Sequence, residues 1–440
     1  MESLSFFYND EFKVLDFLDN REEFVDNVIF TNTSQEEISE KLGIPSKKVQ
    51  VILDSLYENG YLKILKEEND CYIQDLLSFD AFNNEFKSTR AFQKYHITEK
   101  GHRVLNELRE KDSLRKASQF NCASFFSGVG GIDMGFEKCG FNITYANEFD
   151  SNAVYTYEHN FKLRVDSRDI HEVVNVFQNG EDIFKGKKID IFLAGFPCQS
   201  FSIAGYREGF DDKKGRGNLF FELMKIVKIV KPEVLFLENV KNLLGHDRGK
   251  TFHIIKETLE SEGYFIKYQV LNAMEYGNVP QNRERIYIVA FRDEKKCNEF
   301  KFPFPTPLKK KLDNFINFEY PEKDKYYYTE KFPYYETLKA GVKDKNSVYQ
   351  WRRVYVRENK NHVCPTLTAN MGTGGHNVPL VLTDYGIRKL TPQECFRLQG
   401  YPNEYKLPDN LSMSCLYKQA GNSVCVSVIE RIAKEILKVL

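Results

Sequence analysis

Six residues, Gly195-Phe196-Pro197-Cys198-Gln199-Ser200, give one thiol a setting suited to nucleophilic chemistry. Residues 189–194, Ile-Asp-Ile-Phe-Leu-Ala, are short, apolar and β-branched, which predicts a central strand. Gly195 and Pro197 break it, so Cys198 leaves the core at a strand carboxyl end, the edge of an open α/β sheet where ligands bind. A cysteine kept only for packing would lie inside the apolar run as an inert hydrophobe. A carboxylate is placed in the same way. Glu238 ends the predicted strand 234–237 at the same sheet edge and is followed by Asn239-Val240. Its bland alternative is a helix cap or an ion pair. Arg283 and Arg285 alternate along a further predicted strand, so both point one way and can converge on one pocket. Their bland alternative is an ordinary surface ion pair.

A second set of residues suits a nucleoside. Phe125-Phe126-Ser127-Gly128-Val129-Gly130-Gly131 follows a predicted strand and precedes a helix. Glycines there let the backbone turn sharply and approach a ligand, although a plain tight turn would use them too. One strand–helix–strand step later comes Asn147-Glu148-Phe149. An acid at that position can accept hydrogen bonds from both ribose hydroxyls. Asp169-Ile170 follows the next turn, where a carboxylate can accept from an adenine amino group. The turn lacks the Lys-Ser/Thr ending of a phosphate loop, which argues against a nucleoside triphosphate.

These groups need a frame, and from Asn121 onward the pattern supplies one. Strand, glycine-rich turn, helix and strand alternate, with strands at 122–126, 143–146, 189–194, 234–237, 265–270 and 286–291. That rhythm predicts an α/β fold with a doubly wound, mostly parallel sheet. Between Arg292 and about Leu382 the rhythm is lost in a stretch rich in Lys, Tyr, Pro and Asn, an irregular second lobe. Helical signals return at 391–398 and from Ser427 to the C-terminus. The expected organisation is an N-terminal domain at 1–116, a catalytic and cofactor-binding domain at 120–300, a lobe at 301–385, and a part at 386–440 that completes the catalytic domain.

The first 116 residues read differently. Ser34-Gln-Glu-Glu37 has capping-box spacing and opens a helix through Leu42. Gly43-Ile44-Pro45 turns the chain, and Ser46 caps a second helix with Val49, Ile52, Leu53 and Leu56 on one face. Asn59-Gly60 ends it, a strand follows at 61–65, and a second strand lies near Tyr72-Ile73. Tyr95-His96-Ile97 leads into a helix from Thr98. Helix, tight turn, helix and β-wing resembles a winged helix-turn-helix, with Lys47, Lys48 and Gln50 able to reach a DNA groove. The alternative is a small packing module without a ligand.

Bulk properties narrow the class. The chain has 440 residues, 42% hydrophobic and 28% charged, which is ordinary for a globular protein of two or three domains. A net charge of −1 excludes a generally basic coat for nucleic acid, so any such face is a local cluster of Lys and Arg. The start lacks the basic and apolar segments of a signal peptide, and no apolar run approaches the roughly 20 residues of a membrane span. Nine cysteines, an odd number without metal spacing, fit reduced thiols in a cytoplasm and no metal site.

The chain from Asn121 onward resembles a cytosine-C5 DNA methyltransferase of the bacterial restriction–modification type. The motifs stand in that family's order: Phe126-Ser-Gly-Val-Gly-Gly131, Asn147-Glu148, Asp169-Ile170, Gly195-Phe-Pro-Cys-Gln-Ser200, Asn218-Leu219-Phe220, Glu238-Asn239-Val240, Gln281-Asn-Arg-Glu-Arg285, Arg388-Lys-Leu-Thr-Pro-Gln-Glu-Cys395 and Gln419-Ala-Gly-Asn-Ser-Val424. About three quarters of the chain is covered, and the ordered series is far more specific than any one motif. The resemblance implies a Rossmann-like methyltransferase fold with S-adenosyl-L-methionine as cofactor and S-adenosyl-L-homocysteine as product. Phe126, Gly128, Gly130, Glu148, Phe149, Asp169, Ile170, Pro197, Leu219, Asn422, Ser423 and Val424 are the implied cofactor contacts.

The same resemblance implies the chemistry. Cys198 as thiolate adds to cytosine C6, Glu238 stabilises the ring at N3, and Arg283 and Arg285 hold the base and flanking phosphates. The target base must be flipped out of the duplex. The glycine-hinged stretch 205–217, with Arg207, Lys213, Lys214 and Arg216, suits a lid over the DNA, and Gln199, Ser202 and Arg216 are expected DNA contacts. In the lobe, residues 349–357 alternate like a strand and carry Arg352, Arg353 and Arg357, before a small-residue loop with Thr366 and Thr368. That pairing resembles the recognition region of members that modify CCNGG, CCWGG or CCGG sites, with arginine reading guanine; a scaffold that only grips phosphates is the alternative.

The expected partners are double-stranded DNA, its own promoter DNA through the N-terminal domain, and a functionally paired restriction endonuclease, with no membrane. Catalysis is expected of a monomer, with dimerisation through the N-terminal domain as an option. Two rival readings are a transcriptional regulator with incidental catalysis and a tRNA cytosine-C5 methyltransferase. Relatives of the latter kind carry Cys-Phe-Thr, whereas Cys395-Phe396 here precedes Arg397.

Overall fold

Ser34 accepts a hydrogen bond from the Glu37 backbone N–H at 3.1 Å and starts the helix Gln35–Leu42 where the sequence places it. Only half of the expected capping box forms, because the Glu37 carboxylate turns to the Thr33 hydroxyl and to Arg21. Gly43, at a left-handed φ of 65°, ends the helix. The next helix, Ser46–Glu58, buries Val49, Ile52, Leu53 and Leu56; its N-cap is Pro45, and Ser46 does not cap it. Strands β1 (Glu23–Val25), β2 (Val28–Ser34), β3 (Leu62–Glu68), β4 (Cys71–Ile73) and β5 (Phe92–Ile97) form an antiparallel sheet of order β1-β2-β5-β3-β4. The helix Asn9–Asp19 and the pair β1–β2 complete this unit without having been anticipated.

The structure is a computed structural model that describes residues 9–25, 28–68, 71–73, 92–197, 219–373 and 377–440. The chain divides into two units, Met1–Ser113 and Leu114–Leu440. Their charges differ in sign. The first holds 14 Lys and Arg against 23 Asp and Glu, the second 48 against 40, so the total of −1 hides a strongly acidic and a basic part.

The second unit is built on β6 (Asn121–Phe125), β7 (Asn142–Asn147), β8 (Ile191–Ala194), β9 (Val234–Val240), β10 (Phe265–Asn272) and β11 (Glu284–Phe291), in order β10-β11-β9-β8-β6-β7. The four strands β9-β8-β6-β7 are parallel, and β11 and β10 extend the sheet antiparallel beyond β9. Alternation along each strand feeds two cores, as a sheet covered on both faces requires. Ile191, Leu193, Val234 and Phe236 pack on one face, with the C-terminal helix Val426–Val439. Phe192, Ala194, Leu235 and Leu237 pack on the other, with the helices Ile170–Gln178 and Leu219–Val230. The chain leaves β6 toward β7 and later returns on its other side at β8, so a crevice opens at the carboxyl ends of these strands.

The lobe is more regular than its sequence suggested. Strands β12 (Val348–Trp351), β13 (Val356–Asn359), β14 (Leu380–Thr383) and β15 (Gly386–Lys389) make an antiparallel sheet of order β13-β12-β14-β15 over a small core that includes Tyr349, Trp351, Leu380 and Ile387. The expected single strand 349–357 is in fact a hairpin, turned at Arg352–Tyr355. The Val354 N–H donates to the Arg352 carbonyl at 2.7 Å, and Arg353 between them takes a φ of 64°. That three-residue γ-turn cannot be read from alternation, because every residue in it is compatible with a strand. The buried Arg388–Glu394 pair and the Thr391 capping box then lead into the helix Pro392–Arg397.

Candidate active site

A cavity of about 840 Å³ opens where the carboxyl ends of β6, β7, β8 and β9 meet the C-terminal segments. On the β6 side, Phe126 and Gly128 both adopt left-handed backbone, with φ of 54° and 55°. The Glu148 carboxylate, at the end of β7, fastens this turn by accepting from the Gly128 N–H at 2.8 Å and from the Asp150 N–H at 2.7 Å. Burial raises the Glu148 pKa above its ordinary value, opposed by these backbone donors. Phe149 beside it is 69% exposed. An aromatic face left that open at a cavity wall is available to stack on a planar ring. Asp169 caps the helix Ile170–Gln178 and accepts from the His171 N–H at 2.9 Å. Ile170 and Leu219 add apolar wall.

At the end of β8 the chain turns through Gly195, Phe196 and Pro197. Asn239 Nδ2 donates to the Phe196 carbonyl at 2.8 Å, which ties this turn to β9. A side chain at Gly195 would lie 3.7 Å from Glu238 Oε2, so the turn passes close over that carboxylate. Glu238 is cross-strand partner to Tyr287, and Arg285 to Val240, so alternation sets Arg285 and Glu238 on one face. Burial raises the Glu238 pKa, and the charges of Arg285 and Arg283 oppose that shift.

The structure brings nearly all of the expected cofactor residues to this cavity: Phe126, Gly128, Glu148, Phe149, Asp169, Ile170, Pro197, Leu219, Asn422, Ser423 and Val424. Gly130 is the exception. It does not line the cavity, and a Cβ there would sit 2.3 Å from the Phe161 ring, so this glycine serves close packing. Arg283 meets protein groups that the sequence did not point to. It reaches the cavity wall, but its guanidinium donates to the carbonyls of Leu367, Gly421 and Ser423, and burial pushes its pKa down to about 9. These bonds stitch three segments together, while Arg283 Nε has no hydrogen-bond partner among the described residues. Cys198, Gln199, Ser202, Arg216 and the whole of 205–217 lie outside the described residues.

The lobe residues divide. Arg352, Arg353 and Arg357 are exposed at or near the hairpin tip, beside Val354 and Tyr355, which are 73% and 55% exposed. Thr366 instead donates to the Asn282 carbonyl at 2.6 Å, and Thr368 precedes the short 3-10 turn Ala369–Gly372 without a side-chain bond to it, while its backbone packs against Gly421. In the N-terminal unit Lys47 is exposed, Lys48 pairs with Asp10 at 2.5 Å, and Gln50 donates to Asp54 at 2.9 Å. Sequence reasoning missed Lys418, which lines the cavity and pairs with Asp150 at 3.1 Å. A lone lysine in an amphipathic helix carries no signal of its own.

A family model described as C-5 cytosine-specific DNA methylase matches residues 120–438. The chain is 56% identical over 318 residues to the type II methyltransferase M.Bsp6I of Bacillus sp. (strain RFL6), covering 72% of this chain and 98% of that relative. To M.HhaI of Haemophilus parahaemolyticus it is 37% identical over 325 residues, covering 71% and 92%. Among solved structures, DNMT2 of Spodoptera frugiperda matches with a TM-score of 0.55 over 72% of this chain and 99% of that one, at 21% identity. That likeness shows the fold alone. Residues before 120 lie outside the family match.

Proposed function

The chain belongs to the C-5 cytosine-specific DNA methylases, and from that premise we propose that Cys198, Glu238 and Arg285 carry its reaction. It is a DNA (cytosine-5-)-methyltransferase that uses S-adenosyl-L-methionine. The observation that carries the assignment is that Glu148, Glu238 and Arg285, from the ends of three strands, face one cavity beside Pro197, the residue before Cys198. The cavity also suits the cofactor, with Glu148 and Asp169 for ribose and adenine and Phe126, Phe149, Ile170 and Leu219 as apolar wall. Bound there, S-adenosyl-L-methionine supplies an electrophilic methyl group on a sulfonium.

The rest is the work of the chain. The Cys198 thiolate adds to C6 of the flipped cytosine and makes C5 nucleophilic. Glu238, whose pKa burial raises, holds a proton toward N3 as charge develops on the ring. Arg285 fixes the orientation of that carboxyl. After C5 is methylated, loss of the C5 proton and cleavage of the C6–S bond restore the thiolate. Extruding the base costs a few kcal/mol, which Arg207, Lys213, Lys214 and Arg216 and the exposed hairpin offset through phosphate and base contacts.

The modification protects DNA within a restriction–modification system, in a cytoplasm, beside a paired endonuclease; the relatives that bear the name type II methyltransferase support this. Arg352, Arg353 and Arg357 are the base-reading candidates, and the N-terminal unit, through Lys47, is a second DNA-contacting surface for promoter DNA. The test is transfer of labelled methyl groups to double-stranded DNA and to tRNA, with bisulfite sequencing of DNA from expressing cells. Label in tRNA alone would overturn the assignment of substrate.

A further inference from the structure

Beneath the cavity runs a chain of buried hydroxyls that ends on a carboxyl outside the proposed chemistry. Ser124 Oγ lies 2.5 Å from Asp133 Oδ1, and Ser127 Oγ lies 3.0 Å from Ser124 Oγ. Ser124, Ser127 and Asp133 are 1%, 8% and 0% exposed. A carboxylate can only accept, so the single Ser124 proton goes to Asp133, and the Ser124 oxygen is left to accept from Ser127. The carboxylate therefore fixes Ser124 as its donor and leaves the Ser124 oxygen open to Ser127, whose hydroxyl also has the carbonyls of Ser124 and Asn147 within reach at 3.3 and 3.2 Å. Ser127 follows Phe126, whose φ of 54° is one that side-chain-bearing residues rarely adopt. The Ser127 N–H donates to the Asn147 carbonyl at 3.0 Å, so both its backbone and its side chain are fastened where the backbone at Phe126 is least favourable.

Asp133 is an expensive residue at this place. It sits in the first turn of the helix Gly131–Glu137, where burial pushes its pKa up to about 6. Its Oδ2 has no hydrogen-bond partner among the described residues, although the Tyr157 hydroxyl lies near it. An apolar residue would cost less to bury, so a carboxyl at this place points to a use for its acceptor oxygen.

We infer that Asp133 is a positioning residue for cofactor binding, which acts through Ser124 and Ser127 to hold Phe126 and the glycine turn in the shape that lines the cavity. This rests on the reading that the Phe126–Glu148 end of the cavity holds S-adenosyl-L-methionine.

The test is calorimetric binding of S-adenosyl-L-methionine to the full chain, together with KM and kcat. Asp133→Ala should weaken cofactor binding and raise its KM about tenfold, as loss of a charge-assisted hydrogen bond implies. At saturating cofactor, kcat and DNA affinity should stay within about twofold of the parent. Asp133→Asn keeps the acceptor and should restore most of the loss. Ser124→Ala breaks the same chain without emptying a charged site, so it serves if Asp133→Ala does not fold. It should weaken binding in the same direction, and the double variant should be no worse than the weaker single. Unchanged cofactor affinity in a folded Asp133→Ala or Ser124→Ala protein overturns the inference, as does an Asn variant no better than Ala. Glu148→Ala separates the two layers. If it weakens binding while the Asp133 variants do not, only the positioning role fails; if neither changes binding, the cavity reading fails and this inference with it.

Discussion

Arg285 Nε stands 3.2 Å from Glu238 Oε1, with 14% and 10% of the two side chains exposed. The contact is an ion pair without hydrogen-bond geometry, since Glu238 Oε1 has no hydrogen-bond partner among the described residues. Burial outweighs it and leaves the Glu238 pKa raised. A carboxyl with a raised folded pKa favours the folded state while protonated, and that contribution is lost as pH rises through the folded value.

Glu238→Gln, which imitates the protonated form without delivering a proton, should therefore separate stability from catalysis. Single-turnover methylation should drop about 100-fold or more, the ordinary scale of a lost general acid. Thermal melts should show the parent losing stability relative to the variant as pH rises above the ordinary carboxylate value. A variant that methylates at the parental rate removes Glu238 from the mechanism.

Cys198→Ala should abolish methyl transfer and spare cofactor and DNA binding. A duplex with 5-fluorocytosine at the target should trap a covalent adduct in the parent, because fluorine cannot leave as a cation. Denaturing gels read both results. An adduct that persists in the Ala variant would assign the nucleophile elsewhere.

The hairpin tip separates folding from reading at a single position. Left-handed backbone at Arg353 costs a non-glycine residue roughly 1–2 kcal/mol, so Arg353→Gly should leave the melting temperature unchanged or higher. If Arg353 reads a base, the same change should weaken cognate binding by roughly 1–3 kcal/mol and random DNA much less. Equal losses on both, for Arg353 and for Arg352→Ala and Arg357→Ala, would make the cluster a phosphate grip.

Arg283→Ala should act on the fold before it acts on the chemistry. It leaves the carbonyls of Leu367, Gly421 and Ser423 without their donor, at a cost of roughly 3 kcal/mol or more. Lysine cannot reproduce the three-way fork and should recover little of it. A folded Arg283→Ala protein with parental melting but no DNA affinity would return this residue to the substrate side.

The contrast between Arg283 and Arg285 shows how far pattern reasoning reaches. Alternation predicted that both would face one pocket, and both line it. It had no access to what each guanidinium meets, because Leu367 and Ser423 arrive from segments more than eighty residues away. Gly128 and Gly130 divide for the same reason, since only the position of Phe161 distinguishes a ligand-facing glycine from a packing one. The inner strands of the central sheet were readable because burial on both faces forces continuous apolar runs. The lobe strands were not, since four-residue strands around a small core leave too few periods to recognise.

A chain whose charges almost cancel can still meet DNA very unevenly. Counterion release, the sequence-independent part of binding, has to come from the basic second unit, while the acidic first unit is repelled by any duplex that does not offer it matching contacts. On that footing the N-terminal unit should shorten stays on wrong sequences. Dwell times on random DNA, measured with and without the residues before Leu114, should be longer for the truncated enzyme and should fall more steeply with salt. If they are, the acid surplus of this unit sets the pace of the search, and an enzyme relieved of it holds its substrate polymer more tightly and finds its sites more slowly.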